Sequence, residues 1–479
     1  MIRLFFYAAL PLTGASQFLI VWKDSCLGLG IPTPSNVEHD IRNKVWREMV
    51  HQKRLSELDI VLQSLGRSNE GIESLEHVLI DIVSAEHADI AASLEEHDCV
   101  QVEVDASVLN ASNEEIVVGP PPVPTLGNTP SNWFLQAGGF NDPWARYQWY
   151  YGSTVEGSSS PVGMDWVDSW NRHASPEPVT IAMIGSNCPM ETEELNWDRT
   201  RICPLGERCV SWNFATSSAD AGVSDSHGTG IGSLMASKTD NSLGIVGSCE
   251  HCHLFCARVS DAEGTVRPSA IVRAINWIAG SGIKISLHNY SHTTYSAAAS
   301  QAFDRSRGLD HVHVAAAGDD SMPLGEHTYL YPAFYSSSNI LTVGASNRKG
   351  RVADFSNWGR HVDIFAPGED VIGVWDDKAQ MLMGATGSAL SAALVAAALG
   401  QTLTYYPDHY EGDTLLAVAL LAAPYGHIRR VDGRSGILDV KRLLDIVDRD
   451  SEPGSTPKPN SAAINSLLAF VVTTAILLL

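Results

Sequence analysis

The stretch Ser226-His-Gly-Thr-Gly-Ile-Gly-Ser-Leu-Met-Ala-Ser-Lys-Thr-Asp-Asn-Ser-Leu-Gly-Ile-Val-Gly247 decides how the rest of the chain is read. A histidine followed at once by Gly and Thr opens a run of small and apolar residues, which breaks at an Asn-x-x-Gly-Ile-x-Gly turn. On both sides of it, buried-strand patterns alternate with helical ones. Pro178–Ile184, Lys284–Leu287, His311–Ala317 and Ile340–Gly344 read as strands, and Pro268–Gly280 and Tyr295–Arg307 as helices between them. Such alternation predicts an α/β fold, a mostly parallel sheet with helices on both faces.

The histidine segment, with Ser211-Trp-Asn-Phe214 and Asp225 ahead of it, resembles that of subtilisin-like serine proteases. Later segments follow that family in order: Tyr331-Pro-Ala-Phe-Tyr335, Thr342-Val-Gly-Ala-Ser346, Phe355-Ser-Asn-Trp-Gly359 and Val362-Asp-Ile-Phe-Ala-Pro-Gly368. The resemblance implies a subtilisin-like fold over residues 139–449. It also implies a small α+β propeptide-like domain over 24–118, with strands at 78–83 and 99–104 around a helix at 85–97. An unrelated α/β subdomain is the alternative for that segment. A proline-rich linker, 119–138, separates the two.

Serine-type peptide hydrolysis needs a hydroxyl nucleophile, an imidazole base, a carboxylate to orient it and donors for the oxyanion. In this family's pattern the base position is His227. The carboxylate position, directly after the first core strand, holds Gly185, and Glu191, Glu193 and Glu194 lie several residues beyond it. The nucleophile position in Gly384-Ala-Thr-Gly-Ser-Ala-Leu-Ser391 is Gly387. Ser388 is one residue late, a rotation of about 100° on a helix, so its hydroxyl is expected to face away from His227. Asp319 stands at the oxyanion position, where an ionised carboxylate only accepts. The resemblance assigns substrate contacts to Ser286, Leu287 and His288 and to Ala316, Ala317 and Gly318, with the His288 side chain crowding the groove. Together these predict a pseudoprotease that binds a peptide or protein. The alternatives are an active endopeptidase using His227 and Ser388, and a purely structural surface protein.

A formal net charge of −23 argues against nucleic acid, since phosphate recognition needs clustered Lys and Arg. Residues 1–23 read as a secretory leader, or alternatively an anchor helix, and 465–479 as an apolar tail after the polar linker 450–464. The tail fits a lipid-anchor signal or a retained membrane anchor. Asn110-Ala-Ser112 and Asn289-Tyr-Ser291 are glycosylation acceptor motifs, the first expected on a surface loop and the second as a further hindrance at the groove. In a secreted chain the cysteines read as disulfides, although Cys249-Glu-His-Cys252-His-Leu-Phe-Cys256 has zinc-ligand spacing. Calcium is implied as a cofactor by the resemblance alone, with no ligand set and no metal residue to name.

Overall fold

Six consecutive residues, Gln17-Phe-Leu-Ile-Val-Trp22, carry too much apolar surface to stay in water, and they form the buried strand β1. It lies in an antiparallel four-stranded sheet with β2 (Ile72–Leu75), β3 (Ile80–Ser84) and β4 (Val100–Val104), in the order β2-β3-β1-β4. This corrects the leader boundary at residue 23, because Gln17–Trp22 pairs with both β3 and β4. An apolar run of that length suits a leader and a central strand equally, and only pairing distinguishes them. The computed structural model describes residues 17–22, 72–75, 80–84, 100–106, 109–110, 139–153, 163–170, 178–219, 224–326, 328–376, 378, 382–407, 412–423 and 436–451. The expected helix at 85–97, the body of the linker and the C-terminal tail lie outside them.

The second sheet is parallel throughout. Its strands are β5 (Val179–Gly185), β6 (Ser211–Asn213), β7 (Cys252–Arg258), β8 (Ile285–Asn289), β9 (Val312–Ala316), β10 (Ile340–Ser346) and β11 (Ile364–Pro367). Their order is β11-β10-β9-β8-β5-β7-β6. β5, β8 and β10 are buried almost end to end, as strands covered on both faces must be. The helices that matter to the site are α1 (Ser226–Ala236), α2 (Pro268–Gly280), α3 (Ala297–Ser306) and α4 (Ser388–Tyr405). By length and composition α4 would pass for a membrane span, yet it is buried against the sheet as the central core helix.

Two carboxylates at the end of β4 dock the small sheet on the large domain. Asp105 accepts from Ser269 N–H at 2.9 Å and from its hydroxyl at 2.6 Å, while Glu103 accepts from Ala298 N–H at 3.0 Å. Both satisfy free amides at helix starts, α2 and α3. Arg273 adds an ion pair to Glu73 at 2.8 Å.

Disulfides join Cys188 to Cys256, Cys203 to Cys209 and Cys249 to Cys252. The zinc alternative for 249–256 therefore falls, since each of its three sulfurs is already bonded. Among the described residues no cluster of His, Cys, Asp or Glu is arranged for a metal ion, so these side chains offer no ligand set for calcium.

Candidate active site

Strand ends expose backbone groups and place side chains at a common level, which is why parallel sheets bind ligands at their carboxyl edges. Here the ends of β8 and β9 meet the heads of α1 and α4 around one cleft of about 330 Å³. His227 lies in the first turn of α1. Asp225 caps that helix, accepting from Gly228 N–H at 2.7 Å, and its other oxygen takes the Asn187 amide at 2.9 Å. The His227 Nε2 is buried with no hydrogen-bond partner among the described residues. Burial pushes the imidazole down to about 4, against the opposing pull of the Asp225 charge, so it is neutral at pH 7. Gly230 follows because a Cβ there would come within 2.8 Å of the Trp375 ring.

Gly185 ends β5, and a Cβ built on it meets Asn187 O at 3.1 Å and Asn289 Cβ at 3.6 Å. Two of the three nearby acids are engaged elsewhere. Glu191 pairs with Arg199 at 2.7 Å, and buried Glu194 accepts from Asn241 at 2.9 Å and Ile245 N–H at 3.1 Å, with burial raising it to about 7. Gly387 precedes α4 in an extended conformation, φ 164°, that any residue adopts. A Cβ there meets only Asp319 Oδ2, at 3.2 Å. Backbone geometry therefore imposes neither glycine.

Ser388 is held by the loop after β9. Its Oγ accepts from Gly318 N–H at 3.1 Å, and its N–H donates to Asp319 Oδ1 at 2.9 Å. Burial raises the Asp319 carboxyl, and the hydrogen bonds from Ser388 offset part of that rise. The loop itself needs Gly318, with φ +94°, because a Cβ would sit 2.3 Å from Leu330 Cδ1. Asn357 clamps it, donating to Ala317 O at 2.9 Å and accepting from Asp320 and Met322 N–H at 3.1 and 3.0 Å.

The groove wall differs from the expectation. Ser286 and Leu287 are 0% and 1% exposed inside β8 and do not line the cleft. Ala317 is buried behind Ala316 and Gly318, which do line it. The wall is Asn289-Tyr290-Ser291, so the expected Ser286–His288 segment falls three residues early, within the strand rather than past its end. His288 reaches only the cleft floor and turns into the core. Asn289 is 6% exposed at the strand end, which leaves no room for a glycan. Leu109–Asn110, at the other acceptor motif, pairs with Thr265–Val266.

Behind the wall lies a network that sequence inspection missed. His288 Nε2 is 2.9 Å from His313 Nδ1, and Ser286 Oγ is 2.9 Å from His311 Nε2. His311 Nδ1 faces Ile283 O at 2.7 Å and must donate to it. His313 Nε2 meets Ser306 Oγ at 2.8 Å, whose own hydrogen goes to Phe303 O at 2.7 Å, and Tyr290 O–H supplies His288 Nδ1 at 3.3 Å. With every imidazole neutral, Ser286 donates to His311, His288 to His313 and His313 to Ser306, while Ser286 Oγ also lies 2.8 Å from His313 Nδ1, so its single hydrogen is shared between two acceptors. Burial lowers His311 to about 4 and drives His288 and His313 well below their ordinary value. The signal available in sequence was His311-Val-His313, two imidazoles at the spacing of one strand face.

Residues 78–441 match the sequence profile described as Subtilase family. A thermophilic serine proteinase from Bacillus sp. is 28% identical over 287 residues, covering 59% of this chain and 65% of that protein. Subtilisin DY from Bacillus licheniformis is 29% identical over 181 residues, covering 38% and 64%. The alignments thus span just under two thirds of these relatives' length. Among solved structures, fervidolysin from Fervidobacterium pennivorans, a keratinolytic enzyme related to subtilisin, superposes with a TM-score of 0.59 at 15% identity, over 90% of this chain and 61% of that one. That likeness concerns the fold.

Proposed function

Taking as premise that the chain belongs to the subtilase family, we propose that it holds an extended peptide in a peptidase cleft without cutting it. The observation that carries this reading is Gly387, whose missing side chain would point at Asp319 and leaves no nucleophilic oxygen at the head of α4. Gly185 leaves the imidazole without an orienting carboxylate from β5. Ser388 is an inadequate substitute, because its Oγ is engaged by Gly318 N–H while His227 Nε2 has no partner among the described residues. In subtilisin, a member of the same family, loss of the serine alone costs about 2 × 10⁶ in turnover. That corresponds to roughly 8 to 9 kcal/mol of transition-state stabilisation.

Peptide binding needs none of those groups. The Asn289–Ser291 wall and the Gly318 loop offer backbone to an added strand, and side chains such as Leu330 and Trp375 give apolar contact. On this reading the chain is secreted and held at a membrane by its C-terminal tail. The three disulfides support an oxidising compartment.

The test is a fluorophosphonate probe and a fluorogenic peptide pool applied to purified full-length chain. No label and no turnover are expected, while immobilised chain retains peptides. Labelling that disappears in Ser388→Ala, or turnover abolished by His227→Ala, overturns the reading.

A further inference from the structure

The cleft wall Asn289-Tyr290-Ser291 is bracketed in sequence by two buried histidines, His288 and His292. His288 belongs to the network with His311 and His313 and also forms part of the cleft lining. His292 stands at the far end of the wall. Its Nδ1 donates to Thr294 O at 2.8 Å, and its backbone N–H and carbonyl both bond Tyr331, at 3.0 and 2.8 Å. Its Nε2 is buried with no partner among the described residues. Between the two, the Tyr290 ring lies 5.6 Å from His288 and stacks on His292 at 6.1 Å. Imidazoles therefore hold the wall at both ends.

These rings pack as they do only without charge. His311 gives its Nδ1 hydrogen to Ile283 O and His313 its Nε2 hydrogen to Ser306 Oγ, so their second nitrogens both look to the single Ser286 hydrogen. Among the described residues no carboxylate bonds any of the four imidazoles. Lys284, paired with Asp310 at 3.5 Å, opposes a charge on His311. Asp304 reaches the network only through Ser337 and Asn339, and Glu103 is tied to the start of α3. Asp319, Asp320 and His227 lie elsewhere on the cleft lining. A proton added here makes a buried cation with no counter-ion beside it, and it is relieved by moving the ring into water.

We infer that the wall is an acid-released latch, closed while His288, His292, His311 and His313 are neutral and opened when they take up protons. Burial lowers His292 and His311 from an ordinary 6.5 to about 4, and His288 and His313 well below their ordinary value. The closed wall thus binds fewer protons than the opened one. Its closure is fully supported above pH 6.5 and weakens as pH falls towards about 4. Opening removes the edge on which an added strand would pair, so a held peptide leaves with it. That last step alone rests on the peptide-holding reading.

Hydrogen exchange of the full chain, corrected for the intrinsic pH dependence of amide exchange, is the test. Between about pH 6 and 4.5 the opening constant read at the His292 and Tyr331 amides is expected to rise about tenfold or more per pH unit, while the amides of β5 keep their protection. His292→Asn and His311→Asn, whose amides can replace the bonds to Thr294 O and Ile283 O, should each make that rise shallower. Melting at pH 7 checks that both variants fold. His253→Asn, a partly buried ring on β7, should leave the rise unchanged. Wall protection that persists to pH 4.5, its loss together with that of β5, or an equal rise in the parent and both network variants overturns the inference. A peptide pool on immobilised chain separates this failure from the larger one. Retention at pH 7 with a wall that stays shut in acid removes the latch and leaves the peptide-holding reading. A wall that opens in a chain retaining nothing at pH 7 leaves the latch and removes that reading.

Discussion

The molecule contains imidazoles in two contrasting settings. His227 stands at the rim of the sheet, with a buried nitrogen that has no partner and with glycines where its expected neighbours would be. His288, His311 and His313 stand a few residues behind the same cleft, and the nitrogens of all three have partners. The difference lies in what each group faces. A side chain at 387 would project into the cleft, which Gly387 lines, whereas one at 185 would meet Asn187 O and Asn289 Cβ. Members of the histidine network face one another, and deleting any of them strands a polar atom in a dry interior. If the cleft is inactive as proposed, a scaffold can lose its reacting groups at little cost in stability while retaining polar residues that perform no chemistry.

The largest effect that tests this contrast is gain of activity. Because neither glycine is imposed by the backbone, Gly185→Asp with Gly387→Ser and Asp319→Asn should raise fluorogenic peptide turnover by about 10³-fold or more over the parent, below the roughly 10⁶ ceiling set by a full triad. No rise would mean that the cleft has also lost its shape. The second effect is on stability. His311 goes from an ordinary 6.5 to about 4 on folding, so the folded chain binds fewer protons than the unfolded one between those values. Its contribution of about 3 kcal/mol is fully present above pH 6.5, falls as pH drops, and is gone below about 4. Urea unfolding at pH 7, 5.5 and 4 reads this together with the other buried imidazoles, His227 and His292 among them, and a flat profile would show that burial does not hold these rings neutral. The third is a matched pair of substitutions. Ser286→Ala leaves His311 Nε2 without its donor and should cost about 1 to 3 kcal/mol. His227→Ala removes a nitrogen that has no partner among the described residues, strands no other polar atom, and should cost less than Ser286→Ala by thermal melting.

What the sequence made legible follows the same division. Motif order made the subtilase family legible, and composition the buried runs of β5, β9 and β10, while the positions assigned to His227, Gly185, Gly387 and Asp319 rest on that motif order alone. Register was not legible. Ser286-Leu287 looks like a groove segment until β8 is seen to extend through it, because a strand buried on both faces has no alternation to mark where it ends. The histidine network depends on β8 and β9 pairing with Ser286 beside His313, a cross-strand fact that no local pattern carries. Gln17–Trp22 was hidden for the same reason, its partners being β3 and β4 far along the chain.

The position of β1 has a consequence for how the chain emerges during synthesis. Val21 must wait for Ile80, 59 residues later, before its first partner strand exists. At ribosomal rates of about 5 to 20 residues per second that is roughly 3 to 12 s. Throughout that interval a ribbon of five apolar side chains is presented to chaperones, to translocation machinery and to other nascent copies, so the earliest hazard in the life of this protein is aggregation at its own first strand.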